Sequence, residues 1–178
     1  MKFVDLLKEL NREKIRYLLV GGIAVNLYGV IRSTKDIDLV VYLENKNLLK
    51  FCHLMTRLGY KPKVPVKAED FADAKNRQDW IENKNMIVFS FYHEQDLMNV
   101  VDVFVKHPLP FESIYKRKEL IPLDRRVNIP VISIPDLIKL KTEASRQQDL
   151  ADIRALKEIL RIRKQNEKTK TLKKKKRV

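Results

Sequence analysis

The sequence predicts an α/β (α+β) fold: a mixed β-sheet flanked by helices, followed by C-terminal helices and a basic tail. Three observations carry that expectation. Apolar runs of strand length alternate with helical stripes over the first 105 residues, two adjacent runs read as a hairpin, and beyond Pro135 only helical periodicity remains.

Taken in order, Phe3, Leu6, Leu7 and Leu10 recur at helical spacing, with Asn11 as a stop. Residues 17–20 form a short apolar strand that ends abruptly at Gly21-Gly22. Ile23, Ala24, Leu27 and Tyr28 then make a short helix closed by Gly29, and residues 36–41 read as a second strand. Asn45 is the expected cap of the next helix, whose apolar positions run from Leu48 to Leu58 before Gly59. Residues 60–67 carry Pro62 and Pro65, which remove ladder donors and allow at most an edge strand. The polar stretch 68–84 is either a packing connector or a helix over the site that brings Arg77 or Lys84 to a ligand. Residues 86–91 and 100–105 form an antiparallel pair joined by a polar bend at 93–99. Further short strands are expected at 120–122 and 127–134. Ser133 and Pro135 announce a helix over 136–145, and a last helix starts at Asp149 with the stripe Leu150, Ile153, Leu156, Ile159 and Leu160.

The 178 residues, 44% of them hydrophobic, suit one domain with a single core, expected over residues 1–163. Cys52, the lone cysteine, sits inside an apolar helical pattern and reads as a buried thiol rather than a nucleophile. Charged residues interrupt the N-terminus, and no apolar run is long enough to span a bilayer, so a cytoplasmic protein without a membrane partner is expected. Of the formal net charge of +14, residues 154–178 carry +10, from twelve Lys or Arg set against Glu158 and Glu167. Basicity thus belongs mainly to the tail, 164–178, which loses apolar periodicity and is expected to be flexible. The three histidines lack metal-site spacing, and no nucleophile turn of the G-x-S-x-G type occurs.

Chemistry concentrates between residues 17 and 42. The Gly21-Gly22 pair lets the backbone turn tightly, and the amides opening the following helix suit a phosphate. In the strand Asp36-Ile37-Asp38, alternate residues share a face, so Asp36 and Asp38 project together. Paired like charges repel and resist desolvation; a cation between them resolves both problems, and Mg²⁺ prefers such oxygen ligands. Asp102 is the one charge inside the apolar run 100–105 and needs a partner, either a cation or a structural salt bridge, with Asp96 a weaker candidate for the same duty.

The strand into Gly21-Gly22, the thirteen-residue spacer and the Asp-x-Asp strand together resemble the polymerase-beta-like nucleotidyltransferase superfamily. The wording R-x-T-x-D-I-D from Arg32 to Asp38 resembles its minimal members related to abortive-infection and type IV toxin-antitoxin enzymes. That resemblance implies a metal-dependent transfer of NMP, or a short nucleotide tract, from an NTP such as ATP to an acceptor hydroxyl, with release of pyrophosphate. It implies Asp36, Asp38 and Asp102 as ligands of two Mg²⁺ ions (or Mn²⁺), and Gly21, Gly22, Arg32 and Thr34 as nucleotide-binding residues. In the C-terminal segment 136–156 it makes Lys141 a triphosphate contact, with Asp149 or Asp152 orienting it or an arginine. The residues themselves also allow Asp149 to be a helix cap, with Asp152 complementing the helix dipole. The acceptor is expected to be RNA reached through the basic tail, with a cognate antitoxin as a further partner. A small hydroxylated molecule or a protein side chain is the alternative acceptor, and a catalytically idle binding module the third reading.

Overall fold

The computed structural model describes residues 3–124 and 127–175, with side chains as far as residue 169. Its centre is one seven-stranded mixed sheet. The strands are β1 (Tyr17–Leu19), β2 (Ile37–Val41), β3 (Tyr60–Pro62), β4 (Val88–His93), β5 (Asp96–Phe104), β6 (Glu119–Pro122) and β7 (Asn128–Val131), in the spatial order β3-β4-β5-β2-β1-β7-β6. The helices are α1 (Phe3–Arg12), α2 (Gly21–Leu27), α3 (Asn45–Arg57), α4 (Ala74–Lys84), α5 (Phe111–Lys116), α6 (Ile134–Ala144) and α7 (Gln147–Lys175), with a single 3₁₀ turn at Ala68–Ala72.

β1 and β2 lie antiparallel at the middle of the sheet, and β2 runs parallel to β5. Their side chains are apolar on almost every position, as expected for strands covered on both faces. α3 buries Phe51, Cys52 and Met55, and Phe51 meets Phe91 edge-to-face at 5.7 Å. Phe71 and Trp80 stack on Phe89 at 5.0 Å each, so residues 68–84 pack on the core through these rings. Arg77 is buried there and donates to the Phe71 carbonyl at 2.8 Å, so it does not reach the site.

Several boundaries differ from expectation for identifiable reasons. The cap of α3 is Glu44, whose carboxylate accepts from the amides of Lys46 and Asn47; Asn45 is already helical. The hairpin is tighter than its polarity suggests: β4 continues to His93 and β5 begins at Asp96, with a register shift at Tyr92/His93. α5, at Phe111–Lys116, is a helix that precedes the short strands expected at 120–122 and 127–134. Leu150 is 52% exposed instead of buried, while Leu156 of the same stripe is fully buried. α7 carries on as helix through Lys175, well past the expected start of a flexible tail; Lys176 and Arg177, the end of the basic run, lie outside the described residues.

Candidate active site

The site is built where β1 ends. The Val20 amide donates to the Asp38 carbonyl at 2.9 Å, one step beyond the β1–β2 ladder, and this presses the next residue against the Asp38 side chain. Gly21 has φ +64°, and a Cβ there would lie 1.9 Å from Asp38 Oδ2 and 2.6 Å from its Cβ. Only glycine meets both demands. α2 opens at this point, and the Gly22 amide donates to the Asp38 carboxylate. Gly22 supports the other wall: a Cβ there would come within 2.5 Å of Thr34 Oγ1 and 3.1 Å of Arg32 Cζ. The Gly-Gly turn, Arg32, Thr34 and Asp38 are therefore one packed unit.

Asp38 and Asp102 stand side by side in register on the parallel strands β2 and β5. Ser90, opposite Asp102 on β4, donates its hydroxyl to Asp102 Oδ1 at 2.5 Å. Ser90 escaped the sequence reading, although a single hydroxyl in an apolar strand was its signal. Among the described residues Asp102 forms no salt bridge, and the Ser90 hydroxyl is its side-chain partner. Asp36 sits outside the strand, exposed in the bend before β2, because the ladder with β5 begins only at Ile37 and Val101. Burial first, then the negative charge of Asp102 and, more weakly, of Asp36, pushes the Asp38 carboxyl up to about 6, against the opposing hydrogen bond from Gly22.

The C-terminal helices supply the third wall. Lys141, buried on α6, places Nζ 2.8 Å from Asp149 Oδ1 and 2.7 Å from Asp152 Oδ2 on α7. Arg32 Nη1 meets the same Asp152 oxygen at 2.7 Å. The loop holding Arg32 is pinned in turn by Asn26, whose amide donates to the Arg32 carbonyl at 3.0 Å. Asp149 thus binds a lysine instead of capping a helix, and α7 begins two residues before it. Gly21, Gly22, Arg32, Thr34, Asp38, Asp102 and Lys141 converge, with Asp36 at the rim. Asp96 is exposed at the far start of β5. His107 is half-buried against the Val41 carbonyl and the Leu43 amide, and burial lowers its pKa.

These residues fit a divalent cation. The site's two cationic side chains are already committed to Asp149 and Asp152, while the Asp38–Asp102 pair carries an excess of negative charge that burial makes costly. Among the described residues no three His, Cys, Asp or Glu side chains converge closely enough to hold an ion unaided. Such an open arrangement suits an ion that takes further oxygens from water and substrate phosphates.

Comparison with known proteins gives the family and the fold. The family model described as "Nucleotidyltransferase of unknown function (DUF6036)" matches residues 1–165. No curated protein sequence matches. Among solved structures, the lincomycin-bound lincosamide antibiotic adenylyltransferase LnuA superposes with a TM-score of 0.57 at 19% identity, over 87% of this chain and 94% of that one. The antibiotic-resistance factor ANT(2'')-Ia in solution gives 0.56 at 10% identity, over 96% and 91%. Its complex with adenylyl-2''-tobramycin gives 0.53 at 14%, over 86% of each chain. At these identities the likeness concerns the fold. The family match covers nearly the whole chain, and the chain therefore belongs to this nucleotidyltransferase family and is a nucleotidyltransferase.

Proposed function

We propose that the chain transfers a nucleoside monophosphate, or a short nucleotide tract, from an NTP such as ATP to a hydroxyl of RNA, releasing pyrophosphate, in a reaction that depends on Mg²⁺ or Mn²⁺. The observation that carries the reading is the Asp38–Asp102 pair, in register beside a Gly-Gly turn that only glycine can make. Asp36, Asp38 and Asp102 would hold two divalent ions, whose chemistry is to neutralise the triphosphate and acidify the acceptor hydroxyl. Gly21 and Gly22 let Asp38, Thr34 and Arg32 close on the turn, whose backbone would bind the phosphates, and Arg32 and Lys141 would lend positive charge beside it. The acceptor oxygen attacks the α-phosphorus as the bond to the β-phosphate oxygen breaks, and its proton leaves toward the carboxylate pair. Ser90 holds one oxygen of Asp102, which fixes how that carboxylate faces the centre.

RNA as acceptor rests on the concentration of positive charge in residues 154–178. The wording from Arg32 to Asp38 supports a toxin-like enzyme with a cognate antitoxin protein, working in the cytoplasm. Among the described residues no helix is long and apolar enough to cross a membrane. A second reading, transfer to a small hydroxylated molecule, is favoured by the shared fold with enzymes that modify antibiotics. The test is incubation with Mg²⁺, each α-labelled NTP in turn, and separated RNA, protein and small-molecule fractions of a cell extract. Label in RNA supports the proposal; label confined to small molecules moves the acceptor to the second reading, and no label in any fraction with any NTP overturns transfer itself.

A further inference from the structure

α7 has two unlike faces. Its inner face buries Leu156, pairs Asp149 and Asp152 with Lys141, and carries Arg163, which holds the Glu119 carboxylate at 2.9 and 3.0 Å. The Arg163 guanidinium also lies over the Tyr28 ring at 5.3 Å, so the helix is clamped to the body along some four turns. Its outer face presents Arg154, Lys157, Arg161, Lys164 and Lys168, all exposed. Steps of three, four, three and four residues put these five cations within an arc of about 80° and along about 21 Å of helix. Only Arg161 has an acidic partner, Glu158 at 2.6 Å; Arg154, Lys157, Lys164 and Lys168 form no ion pair among the described residues. The stripe begins two residues beyond Asp152, hence at the edge of the catalytic centre, and the exposed Leu150 sits on the same face at that end.

Resting on the reading of RNA as acceptor, we propose that this outer face of α7 is an RNA-backbone track that leads a strand into the active site. A row of cations, four of them without an ion pair among the described residues, on a clamped helix holds phosphates at fixed positions, unlike a flexible arm, and sets the direction from which the acceptor hydroxyl enters. Without aromatic residues on the stripe there is no base stacking, so binding through it is indifferent to sequence and steeply dependent on salt. The apolar side of the helix packs against the body as far as Leu160, which disfavours the same face as a membrane-surface helix.

The test compares the full chain with the quadruple variant R154Q/K157Q/K164Q/K168Q, using a fluorescent unstructured RNA between 50 and 200 mM salt. Four phosphate contacts correspond to a slope of about 2.8 in log affinity against log salt, or about a 50-fold loss across that range. The variant's slope is expected to be shallower by about that amount, with melting temperature and NTP binding by calorimetry unchanged. Parallel slopes, or no RNA binding by the wild-type chain, overturn the track. Loss of binding to anionic phospholipid vesicles with RNA curves unchanged also overturns it and makes the face a membrane contact. Label transfer separates this proposal from the acceptor reading. A wild-type chain that binds RNA with the stripe's slope but never labels it refutes only the acceptor; labelled RNA with the same KM and slope in both chains refutes only the track.

Discussion

Replacing Gly21 by Ala separates two physical demands that the same turn makes. The first is conformational: at φ +64° an L-residue costs about 1–2 kcal/mol. The second is steric, because the new Cβ would lie 1.9 Å from Asp38 Oδ2, 2.4 Å from its Cγ and 2.6 Å from its Cβ. Rotation about χ1 can move the carboxylate away but not the Cβ, so β2 or the turn must shift, at a further cost of about 1–3 kcal/mol. The sum, about 2–5 kcal/mol, corresponds to a melting temperature lower by roughly 4–20 °C for a chain of this size. The displaced carboxylate is also the one in register with Asp102, so turnover should fall at least 100-fold. Gly29→Ala is the control: φ is +102° but nothing lies within 4 Å of the added Cβ, leaving strain alone, about 1–2 kcal/mol, with activity kept. Calorimetric melting and NTP turnover of both variants provide the assay. Equal behaviour of the two, or near-native turnover in a folded Gly21→Ala chain, would refute the close packing of turn and carboxylate.

Other expectations follow from buried charge. Lys141→Met leaves Asp152 paired with Arg32 but removes the ion pair of Asp149, and urea denaturation should show a loss of about 3–5 kcal/mol; a loss under 1 kcal/mol contradicts the network. Burial alone would raise the Asp136 carboxyl, yet hydrogen bonds from Arg117 and Ser133 hold it below the usual range. A depressed acid stabilises the fold above its unfolded pKa, near 4, and that stability is lost as pH falls through the lower folded value. Asp136→Asn should therefore destabilise at pH 7 and flatten the acid limb below about pH 4; an unchanged pH profile of the melting temperature argues against it. Burial pushes the Cys52 thiol up to about 12, so a disulfide reagent at pH 8 should react only on unfolding, and rapid labelling of the native chain would contradict its place in the core.

The sheet, its edge strand and the Gly-Gly turn were legible in the sequence because each rests on local periodicity or on glycine. Residues 17–20 are an apolar run, as are 37–41 apart from Asp38, and the spacing of Gly21 and Asp38 survives as close approach. What escaped depends on partners distant in the chain. Ser90 matters only because the hairpin sets it opposite Asp102, and Asp149 resembles a cap until Lys141, eight residues earlier, is seen to bind it. Asp36 reads as a strand residue by alternation, but the ladder that would enrol it starts one residue later. Leu150 fits a core stripe by spacing, yet the stripe that buries Leu156 has rotated away from it by then. Polarity also misled at the hairpin, where β5 begins at Asp96, in register with His93, instead of at Val100.

The most direct measurement is label transfer from an α-labelled NTP in Mg²⁺ by the wild-type chain and by Asp38→Asn, with thermal melting of both. Asn keeps the shape of the side chain while removing a charge that burial and Asp102 disfavour, so the variant should melt at the same or a higher temperature, with transfer reduced at least 1,000-fold, about 4 kcal/mol of barrier. Turnover near wild type in a folded Asp38→Asn chain would contradict the assignment of the Asp38–Asp102 pair as the catalytic centre.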